Sequence, residues 1–121
     1  MSKDIGIFFI INFNIFLILF HSLFSFTGLD PGIGFGKNLK HNMNLIRGVS
    51  IFHSLGFPIL VGNSRKRFIK DISKKNDSET RIGGTMASSI YLMMQGIQIL
   101  RIHDVNEVMQ GIKVFNQIIK N

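Results

Sequence analysis

The chain has 121 residues, a formal net charge of +7, a pI near 10.2 and no cysteine. That length suits one modest domain and excludes a complete (β/α)8 barrel, which needs about 250 residues. The missing cysteines exclude a disulfide framework and a thiol nucleophile, and fit a reducing compartment. The basic charge concentrates between Arg65 and Lys75, where Phe68 is the only aromatic. A nucleic-acid surface would interleave more rings for stacking, so a solvated loop with an anion site is expected and no nucleic-acid partner.

Residues 5–26 are rich in Phe, Ile and Leu and carry no charge after Asp4. A run of this kind is long enough for a membrane span of about 20 residues. Lys3 in front would suit a signal peptide, but Asp4 weakens the basic start and no small-x-small cleavage site follows. The composition is also that of AT-rich DNA read in an arbitrary frame. Residues 1–28 are therefore set apart as an apolar leader, read as a frame remnant or a membrane segment, with a soluble strand or helix as the remaining option.

A glycine-rich loop follows, Leu29-Asp30-Pro31-Gly32-Ile33-Gly34-Phe35-Gly36-Lys37. Three glycines and a proline cannot continue a helix or strand, and they bring bare backbone and one carboxylate close to a small ligand. Residues 38–55 are predicted as a helix, with Asn38 as N-cap, Leu39, Met43, Ile46, Val49 and Phe52 as its apolar stripe, and Gly56 as its stop. Residues 57–61 read as a short strand with Pro58 near its start. The loop 62–67 carries Asn63-Ser64-Arg65-Lys66, and a short helix begins near Arg67. Residues 73–79 are a polar loop. Residues 80–95 are predicted as a helix with Gly83, Gly84, Ala87 and Ser88 on one side, ended by Gly96. Residues 97–102 form the next strand. Asp104 is predicted to cap the last helix with Glu107 three residues on, a capping-box pattern. Val105, Val108, Met109, Ile112, Phe115 and Ile119 make that helix's stripe. Alternating strands and helices imply an α/β fold with a parallel sheet.

Three islands then fall where strands end and loops begin: Asp30 with its glycines, Ser64 to Lys66, and Arg101 with His103. In a βα barrel that is the functional face. A carboxylate can accept two hydrogen bonds from an aminopyrimidine edge. Arginine binds phosphate bidentately, and histidine adds a donor. Arg101 and His103, two apart, would face the same side of a strand.

In this order and spacing the islands resemble the C-terminal part of dihydropteroate synthase, over roughly residues 29–121. The resemblance implies the last three βα units of an incomplete TIM barrel. It implies that Asp30, Phe35 and Lys66 meet the pterin, that Ser64 and Arg65 lie on the p-aminobenzoate side, and that Arg101 and His103 hold the diphosphate. Arg67 stands where the family often has a small hydroxyl residue. The implied reaction joins 6-hydroxymethyl-7,8-dihydropterin diphosphate to p-aminobenzoate, with Mg2+ assisting. No catalytic or metal-ligating residue is assigned, because the family's metal-side residue has no counterpart here. The resemblance also implies a cytoplasmic enzyme, commonly homodimeric; residues 5–26 offer membrane association instead. Three units cannot close a barrel, so the isolated chain is expected to be inactive unless a complementing N-terminal barrel chain is present. A decaying gene product and a membrane-tethered pterin-binding module are the other expectations.

Overall fold

A computed structural model describes residues 9–12, 32–34, 38–56, 58–74 and 81–120. Three strands form one sheet in the order β1-β3-β2, with β1 at Phe9–Asn12, β2 at Leu60–Val61 and β3 at Ile99–Ile102. Both pairings are parallel, with Phe9 opposite Ile99 and Leu60 also opposite Ile99. The parallel sheet expected from the alternating pattern is present. One part of the apolar leader thus supplies a strand, on the side of β3 away from β2. Among the described residues no helix is long and apolar enough to cross a membrane.

The helices are α1 (Leu39–Arg47), α2 (Arg67–Ser73), α3 (Ile82–Met94) and α4 (Val105–Ile119). Asn38 caps α1 as predicted: its side chain accepts the His41 N–H at 2.9 Å. The single helix expected over 38–55 is instead two pieces. It breaks at Gly48, and Val49–Leu55 continues as a 3-10 helix. Glycine followed by valine, serine and isoleucine favours α-helix poorly, and the tighter turn still buries Val49 and packs Phe52 on the core. Gly56 ends the segment at φ 79°, a left-handed conformation open to glycine. His53, assigned no role from its sequence context, has Nε2 2.8 Å from the Gln95 carbonyl at the end of α3.

The core lies between sheet and helices. Ile59, Val61, Leu100 and Ile102 from the strand segments meet Ile46, Val49, Phe68, Ile69, Leu92, Met93, Val108 and Ile112 from the helices. β2 and β3 are buried throughout, as parallel strands covered by helices must be. Gly84 lets α3 approach Ile69 of α2, and Gly111 lets α4 approach Met86 of α3; a Cβ at either would collide with those side chains.

Candidate functional site

The Ser64-to-Lys66 and Arg101–His103 islands come together at the carboxyl end of the sheet, and Gly34 of the glycine loop reaches Lys66. β2 runs out into Gly62-Asn63-Ser64-Arg65-Lys66, and β3 runs out into His103 and Asp104. Because the two strands are parallel neighbours, their trailing loops must lie side by side.

Four contacts join the islands. The stem of Lys66 lies against Gly34 of the glycine loop, where an added Cβ would stand 3.1 Å from Lys66 Cδ. Gly32 and Gly34 have φ of 75° and 90°, and the Gly34 N–H donates to Asn42 Oδ1 of α1 at 2.8 Å. The Arg101 guanidinium packs on bare Gly62: an added Cβ would stand 2.5 Å from Nη2. Ser64 Oγ accepts the His103 backbone N–H at 2.9 Å and lies 2.8 Å from His103 Nδ1. Arg65 forms a two-pronged pair with Asp104, Nη2 to Oδ1 at 2.8 Å and Nε to Oδ2 at 3.1 Å.

Arg65 itself is left-handed, at φ 54°, a costly conformation for a side-chain-bearing residue. Its backbone is pinned at both ends. The N–H donates to Thr85 Oγ1 at 3.0 Å, and the carbonyl accepts from Arg81 Nη1 at 2.9 Å. Two residues earlier, fully buried Asn63 donates to Ser88 Oγ at 2.7 Å and Ser89 Oγ at 3.0 Å on α3. Those hydroxyls in turn donate to Gly84 and Thr85 carbonyls, at 2.8 and 2.6 Å. The loop is therefore held by α3 from behind and by β3 from the side.

Burial holds the His103 imidazole below its ordinary pKa, with the Arg65, Arg101 and Lys66 cations adding to the effect and Asp104 opposing it. The bond from Arg65 holds the Asp104 carboxyl below the usual carboxylate range, against the opposite pull of burial. The surroundings thus favour a neutral imidazole, an ionised Asp104 and a cationic rim, which is chemistry for an anion.

Asp104 corrects an expectation. It occupies the N-cap position of α4, but its side chain makes no capping bond. The carboxylate serves Arg65 instead, because a guanidinium offers two charge-assisted bonds where a helix amide offers one neutral donor. Arg101 and His103 also divide their tasks. β3 ends at Ile102, so Arg101 stays buried against Gly62 while His103 turns onto Ser64. Asp30 and Phe35 lie outside the described residues. Sequence reasoning placed Gly62 and Asn63 in the loop without a role for either, and it missed Arg81 and Thr85. Thr85, Ser88 and Ser89, spaced three and four apart on an apolar helix, were the signal available for a buried polar partner. Among the described residues no three His, Cys, Asp or Glu side chains converge as a metal site.

The family model described as pterin binding enzyme matches residues 28–103. The dihydropteroate synthase of Escherichia coli K12 is 44% identical over 86 residues, covering 71% of this chain and 30% of that protein. The same enzyme of Synechocystis is 44% identical over 86 residues, with the same two coverages. Among solved structures, dihydropteroate synthase from Thermus thermophilus aligns with a TM-score of 0.71 at 41% identity, over 74% of this chain and 36% of that one. The enzyme from Xanthomonas albilineans in complex with 7,8-dihydropteroate aligns at 0.74 and 32% identity, over 78% and 36%. The Thermus enzyme is also solved with 4-aminobenzoate and with 6HMPPP. The chain spans about 30% of the length of its first curated relatives.

Proposed function

Since the chain belongs to the dihydropteroate synthase family of pterin-binding enzymes, we propose that it supplies the C-terminal wall of that enzyme's substrate site. The reaction is the condensation of 6-hydroxymethyl-7,8-dihydropterin diphosphate with p-aminobenzoate. The bond from the pterin methylene to the diphosphate oxygen breaks, the arylamine nitrogen bonds to that methylene and loses a proton, and diphosphate departs.

Each residue has a task in this reading. Lys66, with Asp30 and Phe35, holds the pterin. Arg101 and His103 meet the charge that grows on the diphosphate as its bond breaks, where fixed donors are worth most. Ser64 and Arg65 form the p-aminobenzoate side. Rigidity serves these roles: Arg101 is buried against Gly62, and Arg65 is held at backbone and side chain. The described residues offer no ligand set for the Mg2+ that the family implies, and no step here runs through it. A complementing chain for the other barrel units, a homodimer and a cytoplasmic location belong to the same proposal.

The observation that carries this reading is the meeting of the Ser64-Arg65-Lys66 loop with His103 and Arg101 at one end of a parallel sheet. Calorimetric titration of the purified chain with inorganic diphosphate and with the pterin diphosphate tests it. Saturable binding is expected, weakened about tenfold or more in Arg101→Gln by loss of a charge-assisted contact. A folded chain that binds neither ligand would refute the reading.

A further inference from the structure

Ser64 is buried, at 4% exposure, and its Oγ faces two groups of a single residue. The His103 backbone N–H donates to it at 2.9 Å, and His103 Nδ1 lies 2.8 Å away. A hydroxyl has one proton and two acceptor lone pairs. The backbone N–H takes one lone pair, which leaves two possible directions for the ring contact.

If Nδ1 carried the proton, Ser64 would accept twice and its own proton would need another acceptor. Among the described residues His103 Nδ1 is the acceptor that Ser64 Oγ reaches. A buried hydroxyl left without an acceptor incurs its full desolvation penalty. If Nδ1 is bare, the hydroxyl donates to it and every group is satisfied.

We propose that Ser64 is a positioning residue whose hydroxyl donates to Nδ1 of His103 and fixes a neutral imidazole with its proton on Nε2. The charged groups around the ring agree on balance. Arg65 and Lys66 of the Ser64 loop and Arg101 of β3 disfavour an imidazolium, and among the described residues Asp104 is the charged group that favours it. The consequence for the site rests on the diphosphate reading above. His103 offers the anion a neutral N–H donor, and fixed charge is left to Arg101 and Lys66. A neutral donor still strengthens its bond as charge grows on the leaving group, yet holds the departed product less tightly than another cation would. At the diphosphate end of the site Ser64 thus acts through His103, while its loop still borders the p-aminobenzoate side.

Long-range proton–nitrogen correlation NMR of the 15N-labelled full chain tests the proposal, with the His103 signals identified by their loss in His103→Gln. At neutral pH the wild-type ring is expected to show a bare Nδ1 and a protonated Nε2. A protonated Nδ1, alone or in an imidazolium, would overturn the proposal without recourse to any variant. Ser64→Ala is expected to mix the tautomers and raise the ring's apparent pKa, because the lost bond favoured only the neutral form; Ser64→Thr restores both. An unchanged tautomer and pKa in folded Ser64→Ala would also overturn it. Inorganic diphosphate added to the same sample separates this proposal from the reading beneath it. A bare Nδ1 with no diphosphate response supports the tautomer and sinks the anion site. A diphosphate response with a protonated Nδ1 does the reverse.

Discussion

Replacing Asp104 with asparagine isolates what holds Arg65 in place. Arg65 sits at φ 54°, at a cost of roughly 1 kcal/mol for a residue with a side chain. Two of the four bonds described above go to Asp104. Asp104→Asn conserves volume but removes the charge, and it turns one acceptor into an NH2 donor facing a guanidinium. A bond between charged groups contributes about 1.5–3 kcal/mol when buried. Here the two side chains are 30% and 17% exposed, so solvent screening lowers the expected loss to about 1–2 kcal/mol. For a domain of this size that corresponds to a fall in Tm of roughly 4–10 °C. The pH dependence follows from the direction of the Asp104 shift. Its folded pKa is lowered, chiefly by the Arg65 bond. The stabilisation is therefore complete above the ordinary carboxylate pKa and is lost as pH falls through the lowered one. Circular-dichroism melts of both proteins between pH 7 and about pH 2.5 should show the widest gap at neutrality, closing at the acid end. Equal Tm at pH 7, or a gap that persists at the acid end, would refute the reasoning.

Gly62→Ala places a Cβ 2.5 Å from Arg101 Nη2, so the guanidinium must move. A stability loss of about 1–3 kcal/mol is expected together with weaker diphosphate binding by calorimetry, and no change in either would contradict the packing. Gly56→Ala meets no atom within 4 Å; its cost should be the backbone strain alone, about 1 kcal/mol. Gly56→Asn should cost less, and chemical denaturation compares the two. Asn42→Ala removes the acceptor for the Gly34 N–H, which should cost about 1 kcal/mol and speed amide exchange at Gly34, measured by NMR. His103 has a lowered pKa, so its neutral form favours folding above the unfolded pKa, and stability drains away as pH falls through about 6.5 toward the folded value. His103→Gln should flatten the Tm–pH slope in that window; an unchanged slope would show that the imidazole is not held neutral.

Local signals in the sequence carried much of the fold. Asn38 and Gly56 mark their helix ends because capping and left-handed termination depend on a residue or two. The stripe of Leu39, Met43, Ile46, Val49 and Phe52 survives the change to a 3-10 helix at Gly48, since both helix types return a side chain to the same face every three or four residues. Asp104 was misread for the opposite reason. Its capping pattern is local, while the partner that outcompetes a helix amide is Arg65, thirty-nine positions away. The site divides along the same line. Ser64, Arg65, Lys66, Arg101 and His103 fell together because parallel strands bring their trailing loops side by side. The supports behind them, Asn63 on Ser88 and Ser89 and Arg81 on the Arg65 carbonyl, depend on how α3 sits against the loop, which no periodicity specifies.

The pairing of β1 with β3 has a kinetic consequence. Phe9 and Ile99 are partners, yet about ninety residues separate them, and closing so long a loop carries an entropic cost that must be met before the contact offsets it. β2 and β3 lie far closer in the chain, and a crossover of two helices, α2 and α3, joins them. The molecule should therefore assemble from its C-terminal portion outward, with β1 the last strand to dock and the first to leave. Pulse-labelled hydrogen exchange during refolding would show β3 amides protected in two steps, the later one timed by the arrival of β1.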